Sequence, residues 1–325
     1  MNTRRHFLQT CAGGCAAAAL PAFAQAGFPS KALSLVDPFT AGSNTDYFSR
    51  LLADRLGPLL GGQVVVENKA GAGGIVGADF VAKAKPDGYT LGMASVSTLC
   101  AGPAVHSGVR YDPVKDFTYI TKLVTLPSVL VVGNKHPARD FRELLEQGKA
   151  QPGRISFGMP GVGSAGHVLL EYLMHLAGVR FLPVPYKGSG PMLTDLMSGQ
   201  LDVMSDNIPS VLPHIRSGAL RALAVRDMKR LSVLPDVPTY AEMGLREVSQ
   251  PLWFGLVGPA KMPAPIVDRI RAAAHKAMAE PGFVEKTLAL SATTSPSTSK
   301  EFADDAAALL ARLRQVVKIA GIKAE

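Results

Sequence analysis

Cysteine is nearly absent from this chain of 325 residues, which contains three: Cys11, Cys15 and Cys100. The first two lie in an N-terminal stretch that has the character of a removable leader, so Cys100 would remain alone in the mature protein. A single cysteine cannot form an internal disulfide, even in an oxidising compartment. The fold must therefore be held together by packing.

Aromatic residues and blocks of basic residues are also scarce. Aromatics make up 6% of the chain, and its lysines and arginines are scattered although the formal net charge is +8. Nucleic-acid binding usually needs clustered basic residues interleaved with aromatics, so no nucleic-acid partner is expected. No histidine or cysteine cluster has the spacing of metal ligands, and neither a metal nor a cofactor is expected.

Long apolar runs are missing as well, and the N-terminus has a run that is only weakly apolar. Arg4 and Arg5 precede this alanine-rich stretch, Cys11 to Leu20, and small-x-small cleavage sites follow at Ala24 and Ala26. A charged region, an apolar region and small residues in this order are typical of an export signal. The arginine pair resembles a twin-arginine signal, which predicts a protein cleaved after one of these alanines and located in the periplasm.

A strand–helix–strand unit in the middle of the chain predicts where a ligand would bind. An apolar strand, Phe181 to Tyr186, leads through glycines into a helix that starts near Pro191 and ends at Gly199. A second strand, Leu201 to Met204, runs into the polar segment Ser205-Asp206-Asn207, which reads as a loop. The two strands of such a unit should be parallel. Ligands bind at the carboxyl edge of parallel sheets, so the unit predicts a small-molecule site.

Other loops rich in glycine and hydroxyl groups also follow predicted strands. They comprise residues 40–46, 95–98 and 159–166. The spacing of Ser43 and Asp46 is that of a helix capping box, with Asp in place of the usual Glu or Gln. Capping and ligand contact are compatible roles here, because the N–H groups at a helix start also bind anions.

The order of the predicted elements indicates two α/β domains. The chain leaves the first domain at Thr125-Leu126-Pro127 and returns with a strand at Trp253 to Val257. We therefore expect a signal at 1–26, a discontinuous first domain at 27–127 plus 250–325, and a second domain at 128–249. Both domains would be doubly wound, with the ligand cleft between them.

Two enzyme motifs deserve comparison with this binding interpretation. Residues 161–166 match G-x-G-x-x-G, but the following strand lacks the carboxylate that a dinucleotide ribose requires. Ser164 lies in a strand–helix turn, yet Val162 breaks the G-x-S-x-G pattern, and His167 alone does not complete a triad. What remains is binding, because helix N-termini and hydroxyl groups can hold a carboxylate without chemistry.

Six segments along the chain carry a family resemblance, in the order in which the family has them. They are Val65 to Gly74, Lys85 to Leu91, Tyr111 to Phe117, Val184 to Gly188, Asp202 to Met204 and Leu234 to Thr239. On these segments the chain resembles the Bug receptors, the periplasmic substrate-binding components of tripartite tricarboxylate transporters. The resemblance implies a type II periplasmic-binding-protein fold and a monomeric receptor.

The family's function implies capture of a small carboxylate, such as an organic, amino or aromatic acid, and its delivery to membrane transporter subunits. A receptor of the same fold that signals to a membrane sensor is the alternative. The residues that would form the site, by family motif and by position in the loops, are Phe39, Ala41, Gly42, Ser43, Asn44, Asp46, Ser95, Ser97, Thr98, Gly161, Val162, Gly163, Ser164, Ala165, His167, Tyr186, Asp206 and Asn207.

The chain departs from the family pattern inside these loops. Ser43 stands where the family has a second glycine, and Ala165-Gly166 replaces a hydroxyl residue and a glutamine. Gly102 precedes Pro103 where asparagine is common. These differences predict a pocket with fewer polar contacts and a ligand with a smaller or more apolar tail.

Overall fold

The computed structural model describes residues 27–159, 161–186 and 188–322, and the predicted export signal lies outside them. Eleven β-strands run through these residues. They are β1 Leu33–Asp37, β2 Val64–Asn68, β3 Thr90–Ser95, β4 Phe117–Leu126, β5 Ser128–Gly133, β6 Ser156–Met159, β7 Leu182–Pro185, β8 Val203–Asn207, β9 Leu220–Arg226, β10 Leu252–Pro259 and β11 Thr293–Thr294.

Ten α-helices alternate with these strands over the same part of the chain. They are α1 Asn44–Leu60, α2 Ile75–Ala82, α3 Gly102–Val105, α4 Phe141–Ala150, α5 Ala165–Ala177, α6 Ser189–Ser198, α7 Ile208–Arg216, α8 Ala264–Ala279, α9 Pro281–Ala289 and α10 Ser299–Ala320. A short π-helical turn, Ser97–Ala101, precedes α3.

The first sheet has six strands in the order β11-β4-β10-β3-β1-β2. Its β1, β2 and β3 are parallel, whereas β10 runs antiparallel to both β3 and β4. Since β10 comes from the C-terminal part of the chain, it carries the chain back into this sheet, as the sequence predicted.

The second sheet has five strands in the order β7-β6-β8-β5-β9. Both β7 and β8 are parallel to β6, and β5 is antiparallel to β8 and β9. The predicted parallel orientation of β7 and β8 is therefore confirmed, although β6 lies between them. The prediction of a loop at Ser205-Asp206-Asn207 is wrong, because these residues pair with β5 and extend β8 to its end.

Helix ends follow the local sequence closely. The Ser43 side chain accepts from the Asp46 N–H at the start of α1, and that of Ser164 accepts from the His167 N–H at the start of α5. Gly61 and Gly178, in the left-handed conformation, end the same two helices. The Asp46 carboxylate accepts from the Gly42 N–H rather than from the Ser43 N–H, so the predicted capping box is only half formed.

Helices pack on both faces of each sheet, which confirms the doubly wound α/β class. In the first sheet α1 and α8 pack on one face and α10 on the other; in the second, α4 and α5 pack opposite α6 and α7. The start of α5 also joins the first sheet's core, since Ala165 and Val168 pack in the cluster that contains Phe302 and Leu310 of α10. Helix α5 therefore contacts both halves of the molecule.

Candidate functional site

A cavity of about 240 Å³ lies where the edges of the two sheets face each other, and we call it the cleft cavity. From the first half of the molecule it is lined by Phe39, Gly73, Ser97 and Leu252. The second half supplies the larger wall, from the ends of β6, β8 and β9, the start of β5, and α5. A concave site between two domains is where small molecules commonly bind.

The loop between β6 and α5 forms one side of the cleft cavity, and we call Gly161 to Ala165 the cradle loop. Ser164 both caps α5 and donates its hydroxyl to the carbonyl of Gly161, 2.9 Å away. The His167 Nδ1 atom accepts from the Gly163 N–H at 3.1 Å. His167 thus braces the cradle loop, while Ser164, Ala165 and Gly166 line the cavity.

The loop after β1 contributes Phe39 to the lining of the cleft cavity, and hydrogen bonds to Asp37 hold this part of the loop. Asp37 accepts from the Phe39 N–H and from the Ser49 hydroxyl. Burial raises the pKa of Asp37, and the Ser49 and Phe39 hydrogen bonds oppose this rise. These contacts hold the backbone of Phe39 in place.

Asp46 is committed to the scaffold. Its carboxylate accepts from the Gly42 N–H, the Arg50 guanidinium and the Asn68 amide at distances of 2.8–3.0 Å. The hydrogen bond from Arg50 is the main reason why the pKa of Asp46 falls to about 2. The predicted residues Gly42 and Asp46 line a separate shallow depression beside Arg50, outside the cleft cavity.

In the hydroxyl-rich turn after β3, two residues stabilise the turn and a third lines the cleft cavity. Ser95 and Thr98 bond to each other, since the Ser95 N–H donates to the Thr98 hydroxyl and the Thr98 N–H to the Ser95 hydroxyl. Both residues are buried, and Ser97 between them lines the cleft cavity. The turn therefore offers one hydroxyl to a ligand.

The far wall consists of the polar ends of β8 and β9. The Asp206 side chain accepts from the Asn207 N–H at 2.7 Å, and burial raises its pKa. Asp206, Asn207 and Ser205 line the cleft cavity together with Arg226 at the end of β9. Burial lowers the pKa of Arg226 to about 10, which leaves it a cation at neutral pH. Among the described residues, Asp206 and Arg226 are the charged members of the lining.

The cleft cavity unites part of the predicted site. Its lining includes Phe39, Ser97, Ser164, Ala165, Asp206 and Asn207 from the predicted set. The remaining predicted residues lie outside that lining: Ala41, Gly42, Ser43, Asn44, Asp46, Ser95, Thr98, Gly161, Val162, Gly163, His167 and Tyr186. The Tyr186 hydroxyl instead donates to Asp195 at 2.8 Å, and burial is the main reason that its pKa rises to about 12.

Sequence reasoning missed several lining residues, of which Arg226 is the most consequential. It follows the apolar run Ala222 to Val225, so its place at the end of a strand was the available signal. The same reasoning missed an apolar wall formed by Phe157, Met159, Leu169, Leu170, Leu173, Tyr240 and Val248. These residues follow no local motif, because a cavity wall is assembled from distant parts of the chain.

The cradle loop also contacts the first half of the molecule, which a pair of glycine substitutions would test. Gly163 has a φ of +75°, and a Cβ there would collide with the His106 imidazole just after α3. Gly161 has a φ of +78°, but a Cβ there meets no atom within 4 Å. Both alanine variants carry backbone strain of about 1–2 kcal/mol, whereas the added collision belongs to Gly163→Ala alone.

We therefore expect Gly163→Ala to lose about 1–3 kcal/mol more stability than Gly161→Ala. Urea unfolding of the two variants measures the difference. Equal losses would mean that His106 moves aside freely and that the contact places no constraint on the cradle loop.

The described residues contain no group of three His, Cys, Asp or Glu side chains that could hold a metal ion. Within the same residues, no helix combines the length and the apolar character needed to cross a membrane.

Comparison with known proteins identifies the family to which this chain belongs. The profile of the tripartite tricarboxylate transporter family receptor, TctC, matches residues 48–321. The chain belongs to this receptor family. The TctC match covers the second sheet, the first sheet except β1, and every residue that lines the cleft cavity except Phe39, and it confirms the resemblance to the Bug receptors.

Individual members of the TctC family agree over most of their length. BugT of Bordetella pertussis is 35% identical over 297 residues, which are 91% of this chain and 91% of BugT. The structure titled periplasmic binding protein BugD is 32% identical and has a TM-score of 0.78, covering 91% of this chain and all of that one. The family is one of receptors, and BugD is titled a periplasmic binding protein, so this chain is a periplasmic solute-binding receptor and not an enzyme.

One solved TctC-like structure contains a small acid. Rpa4515 of R. palustris, in a structure with adipate, is 31% identical to this chain with a TM-score of 0.80, and the match covers 91% of this chain and 99% of Rpa4515. The close agreement of the folds confirms the two-domain architecture.

Proposed function

We propose that this receptor captures a small carboxylate in the cleft cavity and delivers it to a tripartite tricarboxylate-type transporter. The observation that carries the proposal is the start of α5, where Ala165 and Gly166 line the cavity. The N–H groups at a helix start are unpaired, and the helix dipole adds about half a positive charge there. Phe39 and Ser97 of the first half line the same cavity.

Two further features support a carboxylate with an apolar part. Ala165 and Gly166 add no long polar side chain, and apolar residues of β6 and α5 form much of the rest of the lining. The adipate in Rpa4515, an acid with a methylene chain, is an example of this chemistry in a relative. We also propose that the domains divide at 27–127 plus 250–325 and at 128–249, so that binding draws two lobes together about the crossing segments.

The proposed export signal explains how the receptor would reach its ligand. We propose that residues 1–26 direct export by the twin-arginine route and are removed after Ala24 or Ala26. Mass spectrometry of protein recovered from the periplasm measures the new N-terminus. Retention of Met1 in that protein would contradict the proposal, as would unchanged export after both Arg4 and Arg5 are replaced by lysine.

A thermal-melt screen of the mature protein against mono-, di- and tricarboxylates, amino acids and aromatic acids tests the ligand class. A ligand present at about 100 times its dissociation constant stabilises the folded state by about 2.7 kcal/mol, which appears as a higher melting temperature. A shift confined to carboxylates is the expected result. No shift with any acid, from folded protein stripped of bound ligand, would overturn carboxylate capture.

Delivery to a transporter has a separate test. Uptake of the acid identified in the screen should require both this receptor and the transporter's membrane subunits. Uptake that persists without the receptor, together with loss of a transcriptional response to the acid, would favour the sensing role.

A further inference from the structure

Arg226 is buried in the wall of the cleft cavity and faces α5. It lies opposite Ser128 of β5, which in turn lies opposite Asn207 of β8. Leu130, two residues after Ser128, and Ala224, two residues before Arg226, point to the same face of the sheet as Arg226. Both pack in the hydrophobic core that contains α5. The side chain of Arg226 therefore extends toward α5, and the residue is only 8% exposed.

The guanidinium of Arg226 has no partner in the described part of the chain. Its Nε atom is buried without a hydrogen bond, and no salt bridge includes the residue. Arg221 on the same strand shows the usual arrangement, since it donates to the carbonyl groups of Asn134, His136 and Ala138. A buried, unpaired cation is costly, and its retention points to a partner that is supplied from outside.

Asp206 does not serve as that partner. It lies opposite Val129, and Val129 lies opposite Val225, so these three positions share the other face of the sheet. That face packs against α6 and α7. The surroundings of Arg226 on its own face are apolar or neutral, with Tyr240 and Val248 in the same wall. An anion that reached Arg226 would pair with it in a site shielded from water, where a charge pair is strongest.

We propose that Arg226 binds a second anionic group of the ligand, in a subsite apart from the start of α5. This rests on the proposed function, which assigns the first carboxylate to Ala165 and Gly166. Helix α5 follows β6, and Arg226 ends β9, which is three strand spacings or about 14 Å away. The long arginine side chain shortens this gap, and apolar residues line it. The preferred ligands are therefore acids with two anionic ends joined by an apolar segment.

Adipate and hexanoate are the matched probes, because they differ by one carboxylate on the same carbon chain. Calorimetric titration of each into the wild-type protein, Arg226→Met and Arg226→Lys measures the preference for the diacid. We expect wild-type protein to bind adipate at least about 30-fold more tightly than hexanoate, as loss of a buried charge partner usually costs that much or more. In Arg226→Met this ratio should fall to within a few-fold, with hexanoate binding retained. Arg226→Lys should keep part of the preference.

Two outcomes would overturn the role of Arg226 and leave the proposed function standing. One is an unchanged preference for adipate in Arg226→Met, and the other is an equal loss of both acids in that variant. Failure of both probes and of every other acid to bind the wild-type protein would overturn the proposed function together with this inference. Circular dichroism and a cooperative melt establish that each variant is folded.

Discussion

Replacing Arg226 with methionine is expected to raise the unfolding free energy of the ligand-free protein by about 3 kcal/mol. Burial lowers the pKa of Arg226 well below the ordinary pKa of arginine, to about 10. Each pKa unit corresponds to about 1.4 kcal/mol, so the difference between the two pKa values gives the cost of keeping the cation buried. Methionine fills a similar volume and has no charge to desolvate, so it removes that cost.

The sign of this effect follows from proton linkage. The folded and the ordinary pKa of Arg226 both lie well above neutrality, so the cost is fully present at pH 7 and fades only as the pH rises above about 10. Urea unfolding at pH 7 is therefore the measurement. Arg221→Met is the control, and it should lower stability because it leaves the carbonyl groups of His136 and Ala138 without their donor. A loss of stability in Arg226→Met would mean that the guanidinium is paired within the folded protein.

Asp46→Asn is expected to lower the unfolding free energy by about 2 kcal/mol at pH 7 and low salt. The Asp46 carboxylate accepts from Gly42, Arg50 and Asn68 together, whereas an asparagine offers one acceptor oxygen and turns an NH₂ group toward the remaining donors. This loss of stability corresponds to the fall in the pKa of Asp46 from 3.8 to about 2. Half of the Arg50 side chain is exposed, so added salt should reduce the effect.

The pH dependence gives this prediction a second readout. Because the folded pKa is the lower one, the stabilisation is complete above about pH 5 and is lost as the pH falls toward 2. The unfolding free energies of wild-type protein and Asp46→Asn should therefore converge in acid. Asp54→Asn, at an exposed position of α1, is the matched control and should change little. Curves that stay parallel down to pH 2 would show that Asp46 is not the titrating group.

Local sequence rules predicted the frame of this molecule well. The cap at Ser43 and the parallel unit around α6 depend on residues close together in the chain, so they can be predicted without the fold. Local rules could not predict which polar residues of a loop line the cavity and which hydrogen-bond within the loop. Ser95, Ser97 and Thr98 have the same chemistry, and only the packed turn decides that Ser97 lines the cavity while its neighbours bond each other.

The predicted site and the lining of the cleft cavity differ in two ways: Asp46 was predicted but lies outside the lining, and Arg226 was not predicted but belongs to it. A polar residue in a glycine-rich loop satisfies a ligand-binding pattern and a scaffold pattern equally well, and Asn68, brought from another strand, commits Asp46 to the scaffold. Arg226 lies outside any loop motif, at the end of a strand whose four preceding residues are apolar. Its importance comes from burial and from the lack of a partner among the described residues, and neither property is visible in a linear sequence.

The position of Cys100 makes the receptor suitable for distance measurements by fluorescence. Its thiol is fully buried against the Ala306 carbonyl of α10, and burial raises its pKa, so it should stay protonated and unreactive toward maleimide dyes. If the leader with Cys11 and Cys15 is removed, a cysteine introduced on the surface of each lobe would provide the two reactive thiols. A donor and acceptor pair at those positions could follow the two lobes as acids are added, with the native cysteine left in place.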